Sequence, residues 1–174
     1  MKFFTKTRLR TLAFVLILGV LAGLVLNLYG AFDKKECNPD NLISADAVTD
    51  YKSSGDYNTG HGIKYTVKEH GEVKVKGTAT ADVTVKLGSG ITLTEGKSYT
   101  FTCDVKTCGY DTYGLYLVKG DTKYYAEIDD TIKVASGEGG DYTLYLYIKK
   151  DAKVNTTFYP VLVEGTNTGS FWKK

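Results

Sequence analysis

The sequence predicts an all-β outer domain, an antiparallel β-sandwich or barrel, preceded by one N-terminal transmembrane helix. Three observations predict it. Apolar and polar residues alternate with period two in one stretch after another, and Gly, Asp and Asn clusters separate those stretches. The long apolar run, from Thr11 to Phe32, carries no charged side chain.

That run is long enough to span a bilayer, since a hydrocarbon core of roughly 30 Å needs about 20 apolar helical residues. Lys2, Lys6, Arg8 and Arg10 precede it. The positive-inside bias therefore puts residues 1–10 in the cytoplasm as a basic stub, makes 11–32 a signal anchor and leaves the rest outside. The rival is a cleaved signal peptide, whose apolar core is shorter and ends on small residues. Tyr29 fits poorly before a cut at Ala31. The expected location is the cell membrane, single-pass, with the C-terminal domain outside the cytoplasm.

Charge follows this topology. Of 22 basic residues four lie in the stub, which leaves 18 against 20 acidic ones beyond it. The formal +2 is thus a topology signal, and with no basic stripe in the outer part no nucleic-acid partner is expected. Residues 33–40, DKKECNPD, read as a short stalk that spans at most roughly 30 Å. The globular domain is expected over 41–174, about 134 residues and large enough for one core. Cys37, Cys103 and Cys108 all fall on the outer side, where disulfides persist. Cys103 and Cys108 are a disulfide candidate by closeness in sequence, although spacing alone does not bring their Cβ atoms together. Cys37 would then pair between chains, giving a dimer, or stay free.

Element by element, SADAVTDY allows a turn of helix. GIKYTVKE points Ile63, Tyr65 and Val67 one way, and EVKVKG points Val73 and Val75 against Lys74 and Lys76, with HG as a hairpin turn between them. In ADVTVKL, Val83, Val85 and Leu87 share a face, and GSG and EGK read as punctuation. SYTFTCDV sets Tyr99, Phe101, Cys103 and Val105 on one side. YGLYLVK, TKYYAEI, DYTLYLYIKK and TTFYPVLVEG follow as four more strands. Pro160 cannot donate to a ladder, so its strand should lie at an edge or carry a bulge.

Enzymatic chemistry finds little support. His61 and His70 form no metal-ligand pattern, and no nucleophile elbow or phosphate loop occurs. Asp129 with Asp130 or Glu127 is a formal acid/base pair, but a solvated turn accounts for it. The same stretch offers oxygens to a structural calcium without matching a dedicated calcium loop. No other cofactor is expected. Tyrosine is the informative residue, with 14 copies against one tryptophan. If Leu115 and Leu117, and Leu144, Leu146 and Ile148, face the core, then Tyr116, Tyr145 and Tyr147 share the opposite face. Rings flanked by polar groups suit carbohydrate, because the apolar face of a sugar packs on a ring while its hydroxyls seek hydrogen bonds. Tyrosine is also simply a good strand residue.

NLI at Asn41–Ile43, the GKSYTFTCDV strand and the closing YPVLVEGTNTGSFW resemble the carbohydrate-binding jelly-roll modules of bacterial surface proteins and of phage tail and receptor-binding proteins. In those modules an N-L-L opening strand and a Y-P-x-L-x-x-G closing strand recur. The resemblance covers most of Asn41 to Trp172. It implies a jelly roll with first and last strands adjacent, so that Leu42 and Ile43 pack beside Val161 to Val163, and with Phe171 and Trp172 folded back over the sandwich end. It also implies a sugar site on the concave sheet or at the loop tips. The N-terminal anchor and small size depart from the phage members and favour a cell-surface protein. The function expected is therefore non-catalytic glycan or polysaccharide binding through Tyr116, Tyr145 and Tyr147. The alternative is a structural or assembly scaffold at the cell surface that engages a protein partner.

Overall fold

The computed structural model describes residues 37–44, 47–48, 57–103, 111–126 and 131–165. The expected membrane span at 11–32, the acidic stretch at 127–130, Cys108, Val105, Phe171 and Trp172 lie outside them. Among the described residues no helix is long and apolar enough to cross a membrane.

Cys37–Lys174 is one compact unit, and its described part is all-β. In chain order the strands are β1 (Tyr57–Asn58), β2 (Ile63–Val67), β3 (Val73–Thr78), β4 (Val83–Leu93), β5 (Ser98–Thr102), β6 (Tyr113–Lys119), β7 (Thr122–Tyr125), β8 (Thr131–Lys133), β9 (Gly140–Ile148), β10 (Lys153–Phe158) and β11 (Val161–Glu164). Every pairing is antiparallel, in three sheets ordered β1-β2-β3-β10, β11-β5-β8 and β4-β9-β6-β7.

Alternation decides which side chains are buried. Val73 and Val75 of β3 are buried while Lys74 and Lys76 are exposed, and β2 turns Ile63 and Val67 inward. The β2–β3 hairpin closes where expected: the Lys68 N–H donates to the Glu72 carbonyl at 2.8 Å, and Gly71 takes a φ of 91° that other residues rarely adopt. Ile63, Val75 and Phe158 from the first sheet, Tyr99, Phe101 and Leu162 from the second, and Leu115, Leu117, Leu144 and Leu146 from the third form one core. Each such side chain contributes about 1.5–3 kcal/mol over its exposed state. A shared core among antiparallel sheets is the arrangement of a β-sandwich.

Three expectations are corrected. GSG is no turn: it lies inside β4, where the register against β9 shifts on both sides of Gly88. A Cβ at Gly88 would stand 2.2 Å from the Ala47 carbonyl oxygen, so this irregularity lets the helical residues Ala47 and Val48 press against the strand. TTFYPVLVEG is not one strand, since Tyr159 and Pro160 separate β10 from β11 and the chain changes sheet there. Both strands end their sheet's order, so the missing N–H of Pro160 interrupts no ladder. Leu42 is 44% exposed instead of packed, while Ile43 joins the core.

The opening segment does lie against the last strand, and a side chain holds it there. Asn41 Oδ1 accepts the Leu162 N–H (2.9 Å) and the Ile43 N–H (3.2 Å), Asn41 Nδ2 donates to the Pro160 carbonyl (2.9 Å), and the Leu42 N–H donates to the Leu162 carbonyl (2.7 Å). Cys37, expected in the stalk, packs with Tyr159 against Val161 and Val163.

Candidate functional site: a tyrosine face

The sheet β4-β9-β6-β7 turns Leu115, Leu117, Leu144, Leu146 and Ile148 inward, all of them buried. Its other face then follows from register. Lys86 of β4, Tyr145 of β9, Tyr116 of β6 and Tyr125 of β7 stand opposite one another in a single row across all four strands. In the next row Thr84 stands opposite Tyr147 and Tyr147 opposite Gly114. Beyond Tyr116, Thr143, Val118 and Lys123 make a third row.

The structure thus brings Tyr116, Tyr145 and Tyr147 together, each half-buried, and adds Tyr125. Tyr116 and Tyr145 stack with centroids 5.3 Å apart and planes at 11°. Tyr116 also meets Tyr147 at 5.9 Å and Tyr125 at 5.6 Å, and Tyr125 meets Tyr147 edge-on at 5.7 Å and 89°. Each such pair adds roughly 0.5–1.5 kcal/mol beyond simple burial. Gly114 makes the packing feasible, because the Tyr147 ring occupies the space above it: an added Cβ would lie 3.0 Å from its hydroxyl oxygen and 3.1 Å from the ring. The Lys123 ammonium sits 5.7 Å from the Tyr116 ring centroid.

Beside this cluster opens a cleft of about 280 Å³ lined by Tyr116, Tyr125 and Tyr147 with Asp82, Lys123 and Lys149. Tyr145 does not line it and instead backs Tyr116 from behind. A second cleft, about 510 Å³, shares Asp82, Val83 and Thr84 with the first and continues toward His61, Tyr65 and Lys86. Burial, then the neighbouring Tyr145, raises the Tyr116 phenol above its ordinary range, with a Thr84 hydrogen bond acting the other way.

Tyr125, Lys123 and Asp82 escaped sequence reasoning. Nothing in TKYY says which tyrosine points outward until the β6–β7 register is fixed, and that pairing sets Tyr125 opposite Tyr116. Of the cysteines, Cys37 is a free thiol raised above its ordinary range by burial and then by Glu72. Cys103, directly after β5, is fully buried. The described residues contain no group of three or more His, Cys, Asp or Glu side chains placed to hold a metal ion. No family model matches the chain, and no curated protein and no solved structure matches it either.

Proposed function

We propose that this chain is a membrane-anchored, extracytoplasmic β-sandwich of jelly-roll type that binds glycan without catalysis. One observation carries the reading: four tyrosines on one sheet face, three of them lining a cleft edged by lysines and an aspartate. Tyr116, Tyr125 and Tyr147 are the surfaces against which sugar rings pack, Tyr145 holds Tyr116 in place, and the polar rim reads hydroxyls. The anchor rests on the uncharged run at 11–32 and its basic flank. The jelly roll rests on the resemblance of the opening and closing segments, which Asn41 ties together. A Cys103–Cys108 disulfide would close the end of β5.

The test is a polysaccharide panel presented to the full chain in mild detergent, with Tyr147→Ala and Tyr116→Ala alongside. Specific binding that disappears in both variants while each stays folded by circular dichroism supports the reading; silence across the panel from folded protein overturns it. The free Cys37 favours a second reading, a scaffold in which that thiol joins two copies. A covalent dimer on non-reducing electrophoresis, lost in Cys37→Ser, is its expected signature.

A further inference from the structure

We infer that the outer face of the β1-β2-β3-β10 sheet is a second binding surface, which holds a linear polyanion, a flexible chain of repeated phosphate or carboxylate groups, by charge. It lies on other strands than the tyrosine face and is independent of the glycan reading.

Register builds this face. β2, β3 and β10 bury Ile63 and Val67, Val73 and Val75, and Val154 and Phe158 on the core side. Alternation then sends Lys64, Lys74, Lys76 and Lys153 outward, and all four are exposed, as is Lys68 directly after β2. Lys64 stands directly opposite Lys76, whose partner on the other side is Asn155; Lys74 stands between Thr66 and Thr157, and Lys153 opposite Thr78. Lys68 and Lys153 are thereby diagonal neighbours of Lys74 and Lys76. In the sequence, core residues separate these lysines and no basic run appears; antiparallel pairing gathers them.

The concentration of one sign points to a ligand. The four strands, YN, IKYTV, VKVKGT and KVNTTF, contain no carboxylate. Carboxylates border the face in its turns: Glu69 and the buried Glu72 lie 3.7 and 3.9 Å from His70 Nδ1, and in sequence Asp56 precedes β1 and Asp151 lies shortly before β10. Among the described residues no ion pair engages any of the five ammonium groups. Like charges directly opposite one another oppose strand pairing, and a face serving solubility alone would intersperse both signs. An anion laid across Lys64 and Lys76 relieves that repulsion.

Shape selects the kind of anion. Neighbouring strands lie about 4.8 Å apart and alternate residues of one strand about 6.8 Å apart, so a single phosphate reaches two lysines while a chain of them reaches all five. The outward positions of β2, β3 and β10 are lysine, threonine and asparagine throughout. They offer no aromatic ring on which a base could stack and no apolar side chain to enter a bilayer.

The test measures binding of inorganic polyphosphate and of polyglutamate to the full chain in mild detergent, beside a Lys64→Gln, Lys74→Gln, Lys76→Gln triple variant. Lys2, Lys6, Arg8 and Arg10 are common to both proteins, so the difference between them reads the sheet face. The triple variant should bind about tenfold more weakly at low salt, and the slope of log affinity against log salt should fall by about 2. Its melting temperature should equal or exceed the parent's, because a repulsive pair has been removed. Which polymer binds more tightly distinguishes phosphate from carboxylate. Equal affinity and salt slope in parent and triple variant overturn the inference, as does loss of polymer binding in Tyr147→Ala, which would move the polymer to the tyrosine face. Orthophosphate binding as tightly as the polymer, or a single-stranded oligonucleotide of equal charge binding more tightly, also overturns it. So does a lysine-dependent preference for anionic over zwitterionic lipid nanodiscs without polymer binding, which would assign the face to the membrane.

Discussion

The two faces of one sheet use tyrosine in opposite ways. On the inner side Tyr142 is 1% exposed and donates its hydroxyl to the Glu138 carbonyl at 2.7 Å. Tyr124 packs against it with ring centroids 5.6 Å apart and donates to the Glu138 carboxylate. On the outer side Tyr116, Tyr125, Tyr145 and Tyr147 are fixed by contacts between rings, and three of them border a cleft. β7 and β9 supply tyrosines to both sets, and Tyr124 and Tyr125 are even neighbours in sequence. Tyrosine count therefore says little about function: the space beside the ring separates structural tyrosines from available ones.

The strongest way to break this contrast is Tyr142→Ala, which should cost about 3–5 kcal/mol in chemical denaturation because it empties a buried aromatic site. If Tyr145→Ala cost as much, the outer cluster would be core by another name; a loss of roughly 1–3 kcal/mol, from partial burial plus one ring pair, is expected instead. Tyr124→Phe should cost about 1 kcal/mol, while Tyr145→Phe should fall within about 0.5 kcal/mol of the parent. Gly114→Ala sharpens the comparison differently: the new methyl pushes the Tyr147 ring aside by a few tenths of an ångström, so polysaccharide affinity should fall while stability drops by about 1 kcal/mol, the low end for overpacking, because a ring edge can yield.

Alkaline titration gives the smallest signal. Burial, then the Glu138 hydrogen bond, raises the Tyr124 phenol well above its ordinary range, and burial raises Tyr142 in the same direction. Because the folded value exceeds the unfolded one of about 10, the stabilisation is complete below that pH and is lost as pH climbs toward the folded value. Ultraviolet absorbance should show a late-ionising fraction of tyrosine that shrinks in Tyr124→Phe, and the same variant should flatten the decline in stability above about pH 10.

Much of this was legible from residue order. Leu115, Leu117, Leu144, Leu146 and Ile148 point inward as their alternation requires, because burying one face of a strand fixes every second side chain. From that inward set the sharing of a face by Tyr116, Tyr145 and Tyr147 follows directly. Other features depend on distant partners. The apolar text of TTFYPVLVEG reads alike whether it forms one strand or two, and only the neighbours of β10 and β11 assign it to different sheets. Gly88 looks like punctuation until the Ala47 carbonyl is seen above it. The three-residue β8 is too short to display a period. Tyr125 became a site residue only through cross-strand register.

The hold of Asn41 on the last strand has a practical consequence. A bare edge strand offers its N–H and C=O groups to any passing chain. Along β11 the Leu162 N–H and C=O are already occupied, by the Asn41 side chain and the Leu42 N–H. A fragment begun after Ile43 would uncover this margin and recruit strands from its own copies, so it should precipitate where one begun at Cys37 stays dispersed. For anyone preparing the β-sheet domain alone, the few residues ahead of the sheets are a safeguard against self-association and should be kept.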